Sequence, residues 1–308
     1  MSDVIRSEIQ IRPPSVSSRM AASLARAGRK LAHEPLGLAG FVILGLLCFI
    51  AIFAPLLAPY DPAIQALGDA LQPPSLAHLA GTDEFGRDIL SRLIFGTRIT
   101  IQTVLSISLI VGPIGLLIGV VAGFFGGRVD ALLMRATDIV LSFPSLILAL
   151  AFAAALGAGL TTAIIAISLT AWPPIARLAR AEALVVRNAD YVVAARLYGA
   201  SPIRILFLYI APMCVPSVIV RLTLNMAGII LTAASLGFLG LGAQPPAPEW
   251  GAMISSGRKF MLDYWWVAVM PGIAILLTSL AFNIAGDALR DILAVSYTHL
   301  TLPTILRV

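Results

Sequence analysis

Apolar stretches of about twenty residues recur along the chain, at 36–58, 101–125, 136–156, 160–176, 216–241 and 267–285. A hydrocarbon core about 30 Å thick is crossed by about 20 helical residues, and it holds no water to satisfy an open backbone. The pattern therefore dictates an all-α integral membrane protein with about six transmembrane helices. Composition closes the alternative of a soluble core: 12% of the 308 residues are charged, against about 25% in soluble domains. One membrane domain over 35–294 accounts for the chain, between a tail at 1–34 and a short end piece at 295–308.

Orientation follows from the basic residues. Arg6, Arg12, Arg19, Arg26, Arg29 and Lys30 precede the first apolar run, and Arg177, Arg180, Arg187, Arg196 and Arg204 share the segment 177–212. Both belong on the cytoplasmic side by the positive-inside bias, and the even number of crossings between them agrees. The loop 59–98 is then external, and both termini are inside. The tail forms either a short surface helix through Met20, Leu24 and Leu31 or no fixed structure. The formal charge of +5 reads as topology and attraction to anionic lipid, with no nucleic-acid partner. Tyr264, Trp265 and Trp266 suit the headgroup level. Cys48 and Cys214 are expected to be packing residues, too far apart in the chain pattern for a framework of disulfides.

Chemistry is sparse. A nucleotide cradle needs Lys directly after Gly in GxxxxGK[ST], and neither Lys30 nor Lys259 follows Gly. No cofactor, metal or catalytic residue is expected: His33-Glu34 lacks a second His one turn on, and Asp61 and Asp287 sit at opposite ends of the bundle, which rules out a protease dyad sharing one proton. A secondary transporter or channel is the alternative reading, but it would want ionisable groups at mid-membrane, and apart from Arg221 and Asp138, each close to an end of its run, the runs carry none. Asn225, Thr232 and Ser235 on the fifth span and Ser279 and Asn283 on the sixth are candidates to line a path. Residues of these types more often serve as interhelical hydrogen-bond glue.

Two stretches carry more specific information. In YVVAARLYGASPIRILFLYIAP, residues 191–212, Gly199 offers a left-handed stop to one helix, Ser201 an N-cap and Pro202 the first position of the next. The second helix is expected to run to about Tyr209 and to stop at Pro212, so that the pair lies along the membrane surface, with Arg196 and Arg204 facing solvent or headgroups. In GTDEFGRDILSRLIFG, residues 81–96, Ile89, Leu90, Leu93 and Ile94 share a face opposite Arg87, Asp88 and Arg92, which suggests a short surface helix before the second span.

The first stretch resembles the cytoplasmic coupling loop of ABC-importer permeases, whose pattern is Glu-Ala-Ala, three residues, Gly, then Pro. Val193, Ala194, Ala195, Arg196, Gly199, Ala200, Ser201 and Pro212 fall on it, with Val193 in place of the Glu and Ala211 in place of the usual Leu before the proline. The second stretch resembles the GTDxxGRDxxSRLxxG signature of the dipeptide, oligopeptide and nickel branch of these permeases. The resemblance implies a type I importer fold that forms half of a pore. It also implies a second homologous permease, two cytoplasmic ABC ATPases docking at the coupling loop, and an extracytoplasmic solute-binding protein. Relatives of this kind end within a few residues of the sixth span, often on basic residues. The segment 295–308 is neither basic nor amphipathic, so we expect it to be non-native.

Overall fold

The computed structural model describes residues 34–298. The expectations for the tail at 1–34, Glu34 apart, and for all but the first residues of 295–308 lie outside them. Helix α1 (Pro35–Leu57) leads to an irregular segment at 58–88, and α2 (Ile89–Phe125) returns. Next come α3 (Gly127–Leu141), α4 (Ser145–Leu156), α5 (Leu160–Ala171), α6 (Pro173–Val186) and α7 (Asp190–Leu197). Pro202–Ile205, a single π turn at Leu206–Ile210 and Ala211–Phe238 then run as one rod, α8 (Pro202–Phe238). A short α9 (Trp250–Gly257) precedes α10 (Trp266–Thr298). Five helical segments are long and apolar enough to cross a membrane, and a sixth crossing results if α3 and α4 count as one span.

Several expected boundaries are corrected. The surface helix before the second span does not exist separately, because α2 begins at Ile89 and runs unbroken for 37 residues. Nothing between Gly96 and Ile101 breaks a helix, and Asp88 caps its start by accepting from the Ser91 amide at 2.7 Å. The third span, expected over 136–156 with a surface segment ending near Phe143–Pro144, divides at that proline: α3 and α4 meet at 87°. Pro144 disfavours helical backbone at Phe143, and α3 is held elsewhere, by Arg177 to Asp138 (2.5 Å) and by the two-pronged Arg180 to Asp130 (2.5 and 2.6 Å). The fourth span does not end at 176. Pro173 and Pro174 stand in the first turn of α6, where no amide donor is needed, so α5 and α6 form one span to Val186.

The centre of the bundle is the pairing of α2 with α6. Gly115, Gly119 and Gly123 repeat every four residues on one face of α2. A Cβ on them would meet Ile175 Cβ at 2.8 Å, Ala179 Cβ at 2.6 Å and Ala183 Cβ at 2.7 Å respectively. Small residues on both sides let the backbones approach, so dispersion over a long seam replaces the hydrophobic effect that lipid cannot supply. Helix α10 packs on both α1 and α8, and Gly40 of α1 sits against Ile284 and Ala285. Of the two cysteines, Cys214 is buried, whereas Cys48 lies exposed on α1, correcting its assignment as a packing residue.

At the end of the bundle carrying 58–88, the expected polar outer face of the 81–96 motif is in fact buried. Arg87, Asp88 and Arg92 are each under 8% exposed. Asp83 accepts from the Arg87 amide (3.0 Å) and from Arg87 Nε (2.7 Å), with Arg92 Nε at 3.6 Å, and Arg92 Nη1 donates to the Pro62 carbonyl at 2.9 Å. Asp88 takes both the amide and the hydroxyl of Ser91 and faces His78 Nδ1 at 2.9 Å. Trp266 is likewise buried rather than interfacial, its indole donating to the Thr82 carbonyl at 3.4 Å. The motif thus knots 58–88 onto α2 and α10. Asp83→Ala leaves two guanidinium groups buried without their carboxylate, a change worth about 3–5 kcal/mol. Thermal unfolding of the purified protein should show a clear loss, together with new protease sensitivity within 58–88.

Candidate partner-docking turn

At the opposite end of the bundle, α7 and α8 make a sharp corner. Tyr198 closes the last turn of α7, and Gly199 follows at φ 77°, the left-handed conformation that favours glycine. The Ala200 amide donates to the Ala195 carbonyl and the Gly199 amide to that of Arg196, both at 3.0 Å, which completes a Schellman stop. Ser201 then accepts from the Arg204 amide at 3.4 Å, and Pro202 opens α8. These caps end one helix and start the next within a few residues.

The second arm is not a separate surface helix ending at Pro212. Its missing amide is absorbed because the chain widens to a π turn just before it, the Ala211 amide donating to the Leu206 carbonyl. Pro212 therefore lies inside α8, and the corner is rigidly continuous with the fifth span, which begins at Pro202 rather than at 216. The segment 177–212 is correspondingly less of a loop: 177–186 belongs to α6 and 202–212 to α8.

The corner is anchored on one side and bare on the other. Val192 and Ala195 are buried, and Arg196 lies with its guanidinium 5.4 Å from the centre of the Phe124 ring on α2, so it is not simply turned to solvent. Arg187 donates to the Gly123 carbonyl at 2.8 Å, and on α6 Glu182 accepts from Ser217 of α8 at 3.0 Å. Arg196 is thus the corner's own contact with α2, while the end of α6 that leads into the corner is tied to α2 by Arg187 and to α8 by Glu182. The corner's far side presents Leu197 (84% exposed) and Tyr198 (92% exposed), flanked by Val193 and Ile203. Ala194 and Ala200 are half-buried, and Gly199 has open space around the position of a Cβ.

The sequence reading passed over Leu197 and Tyr198. The signal was available in their placement: two large apolar residues directly before a helix-stopping glycine, off the Val192–Ala195 face. Contiguous exposed apolar side chains beside polar ones mark interaction sites.

The candidate path residues lie on α8 (Asn225, Thr232, Ser235) and α10 (Ser279, Asn283). Thr232 and Ser235 donate their hydroxyls to the Gly228 and Leu231 carbonyls of their own helix, at 2.9 and 2.7 Å. Ser279 is buried with its hydroxyl unpartnered, and Asn283 is exposed on α10. Asn225 is half-buried on α8. Among the described residues no group of three or more His, Cys, Asp or Glu could hold a metal ion.

Comparison with known proteins gives consistent results. Residues 115–298 match the family described as "Binding-protein-dependent transport system inner membrane component", and residues 23–74 match "N-terminal TM domain of oligopeptide transport permease C". The chain is 47% identical to the probable D,D-dipeptide transport system permease protein DdpC of Escherichia coli K12, over 85% of this chain and 88% of that protein. It is 46% identical to the di/tripeptide transport system permease protein DppC of Pseudomonas aeruginosa UCBPP-PA14, over 86% and 89%. To the dipeptide transport system permease protein DppC of Alkalihalophilus pseudofirmus it is 40% identical, over 91% and 92%. Among solved structures, a chain of the MetNI methionine ABC transporter in an inward-facing conformation superposes with a TM-score of 0.54 at 21% identity, covering 67% of this chain and 97% of that one.

Proposed function

The chain belongs to the binding-protein-dependent transport system inner membrane components, and from that premise we propose that it is one half of the pore of an ATP-driven importer of di- or oligopeptides. It is a multi-pass inner-membrane permease subunit. The names of its relatives support peptides as the cargo. In this reading the pore is completed by a second, homologous permease, two ABC ATPases dock on the cytoplasmic side, and a solute-binding protein delivers cargo outside. The basic segments before α1 and between Arg177 and Arg204 put the α7–α8 corner and both termini inside, and the 58–88 knot outside.

The observation that carries the coupling assignment is the corner itself, bare at Leu197 and Tyr198, resting on α2 through Arg196 and continuous with α8, with the α6 end before it tied to α2 and α8. Val193, Ala194, Ala195, Arg196, Gly199, Ala200 and Ser201 build it, and Pro212 lies in the arm that transmits its motion. When the ATPases close on ATP, a rigid corner moves as a lever, and a bundle with two packings converts that push into alternating access. No covalent chemistry takes place in this chain.

Labelling with an impermeant maleimide tests orientation and docking together. In a background with Cys48 and Cys214 replaced, a cysteine at Ala77 should react in intact cells and one at Arg204 should not. In inverted vesicles the cysteine at Arg204 should react after the ATPases are stripped and be shielded when they are restored. Reversed sidedness sinks the topology. Reactivity indifferent to the ATPases sinks the docking assignment.

A further inference from the structure

Between α8 and α10 the chain folds back on itself, and at its centre lies a carboxyl group that the transport reading does not use. Glu249 is 8% exposed at the start of α9. It does not cap that helix. Its side chain turns back to accept from the Ala243 amide at 2.6 Å, closing the loop 243–249.

The carboxyl lies in a niche walled by glycine. A Cβ on Gly237 would meet the Glu249 carboxyl carbon at 2.6 Å, and one on Gly242 would meet Oε1 at 2.6 Å. Beside it is a cavity of about 20 Å³ lined by Thr100, Thr103, Ala234, Trp250 and Ile275. Trp250, the next residue, donates its indole N–H to the Leu93 carbonyl of α2 at 3.2 Å, and Gly251 lies against the Ala234 backbone of α8. Position 249 is therefore where the returning segment is joined to α2 and α8.

The niche contains no cation. Arg98 on α2 and Arg258 and Lys259 after α9 are exposed, and Arg258 lies over the Phe238 ring. From α8 the niche receives Gly237 and Ala234, and from α10 Ile275, none of which titrates.

We propose that Glu249 is a positioning residue which, as the neutral acid, pins the 239–257 segment against α2 and α8, and whose ionisation releases it. A carboxylate without a cation in such a niche loses hydration that one amide cannot replace. Burial pushes the group up from 4.5 to about 7, with the Ala243 amide acting in the opposite direction. The closed segment thus holds its proton more tightly than an open, hydrated one. Closure is fully favoured below the ordinary carboxyl value, weakens as pH rises between about 4.5 and about 7, and is constant above. The reading is independent of the coupling assignment at the other end of the bundle.

Hydrogen exchange of the assembled transporter in nanodiscs tests it, with rates corrected for intrinsic pH dependence and read for peptides covering 239–257. Wild-type protection should fall about sixtyfold between pH 5 and pH 7.5, as a shift of this size allows. Glu249→Gln keeps the acceptor for the Ala243 amide without the charge, and should stay protected at every pH. The 58–88 peptides should show no trend in either protein. A flat wild-type profile, a Gln variant that follows the wild type or is unprotected throughout, or a matching trend in 58–88 overturns the proposal. None of these results bears on whether the complex transports.

Discussion

Replacing Leu197 and Tyr198 together by Asp should abolish uptake and ATPase capture while leaving the permease folded in the membrane. Both side chains are almost wholly exposed, so the folded chain loses no packing by their removal. A bound ATPase would lose an aromatic anchor and its apolar neighbour and would gain two carboxylates to desolvate. Anchors of this kind contribute about 2 kcal/mol or more each, and about 1.4 kcal/mol is tenfold in affinity, so docking should weaken by at least about a hundredfold. Co-purification of the ATPases with tagged permease measures this directly, alongside monodispersity in mild detergent. Arg204→Ala, which removes an exposed charge at the rim of the same surface, where truncation costs little affinity, is the matched control and should retain both partners. Normal capture by the double variant would mean that the corner is not the docking site.

The corner was legible in the sequence because its causes are local. Gly199, Ser201 and Pro202 each act on the backbone within two or three residues, and α7 and α8 turn where they stand. The apolar runs were legible for a similar reason, since length and hydropathy alone decide what lipid accepts. Proline was read unevenly, the break at Pro144 being legible and the continuations at Pro173, Pro174 and Pro212 not. Pro144 breaks the chain, Pro173 and Pro174 do not, and Pro212 is carried through by a π turn. One residue type has three outcomes because the cost depends on whether the missing amide was needed, which the neighbouring turns decide.

The 81–96 motif was misjudged because helical periodicity assumes that charge seeks water. Arg87, Asp88 and Arg92 are buried because Asp83, His78, Ser91 and the Pro62 carbonyl surround them, and two of these partners lie outside the motif. Leu197 and Tyr198 were overlooked for the opposite reason. In a membrane protein exposed apolar side chains are common, and only the fold shows which of them sit at a corner that points away from the bundle.

Gly119→Leu should prevent accumulation of folded permease, because the mutated position has no room to give. A Cβ there would meet Ala179 Cβ at 2.6 Å and the Arg180 amide nitrogen at 2.8 Å. The nearer obstacle, the Ala176 carbonyl, is backbone that cannot rotate away. To admit even a methyl group, α2 and α6 must separate along the seam that Gly115 and Gly123 extend on either side. A misfit core side chain costs about 1–3 kcal/mol where neighbours can yield, and more against backbone. Total stability of about 5–15 kcal/mol leaves little margin. Separation would also pull Arg187 from the Gly123 carbonyl and Arg180 from Asp130, freeing both α3 and the base of the corner. Gly119→Ala should therefore give an intermediate yield, and Gly45→Leu, where α1 has open space, the wild-type yield. The amount of monodisperse protein extracted from membranes ranks the three variants. If Gly119→Leu matches Gly45→Leu, the α2–α6 seam is not the core of the bundle.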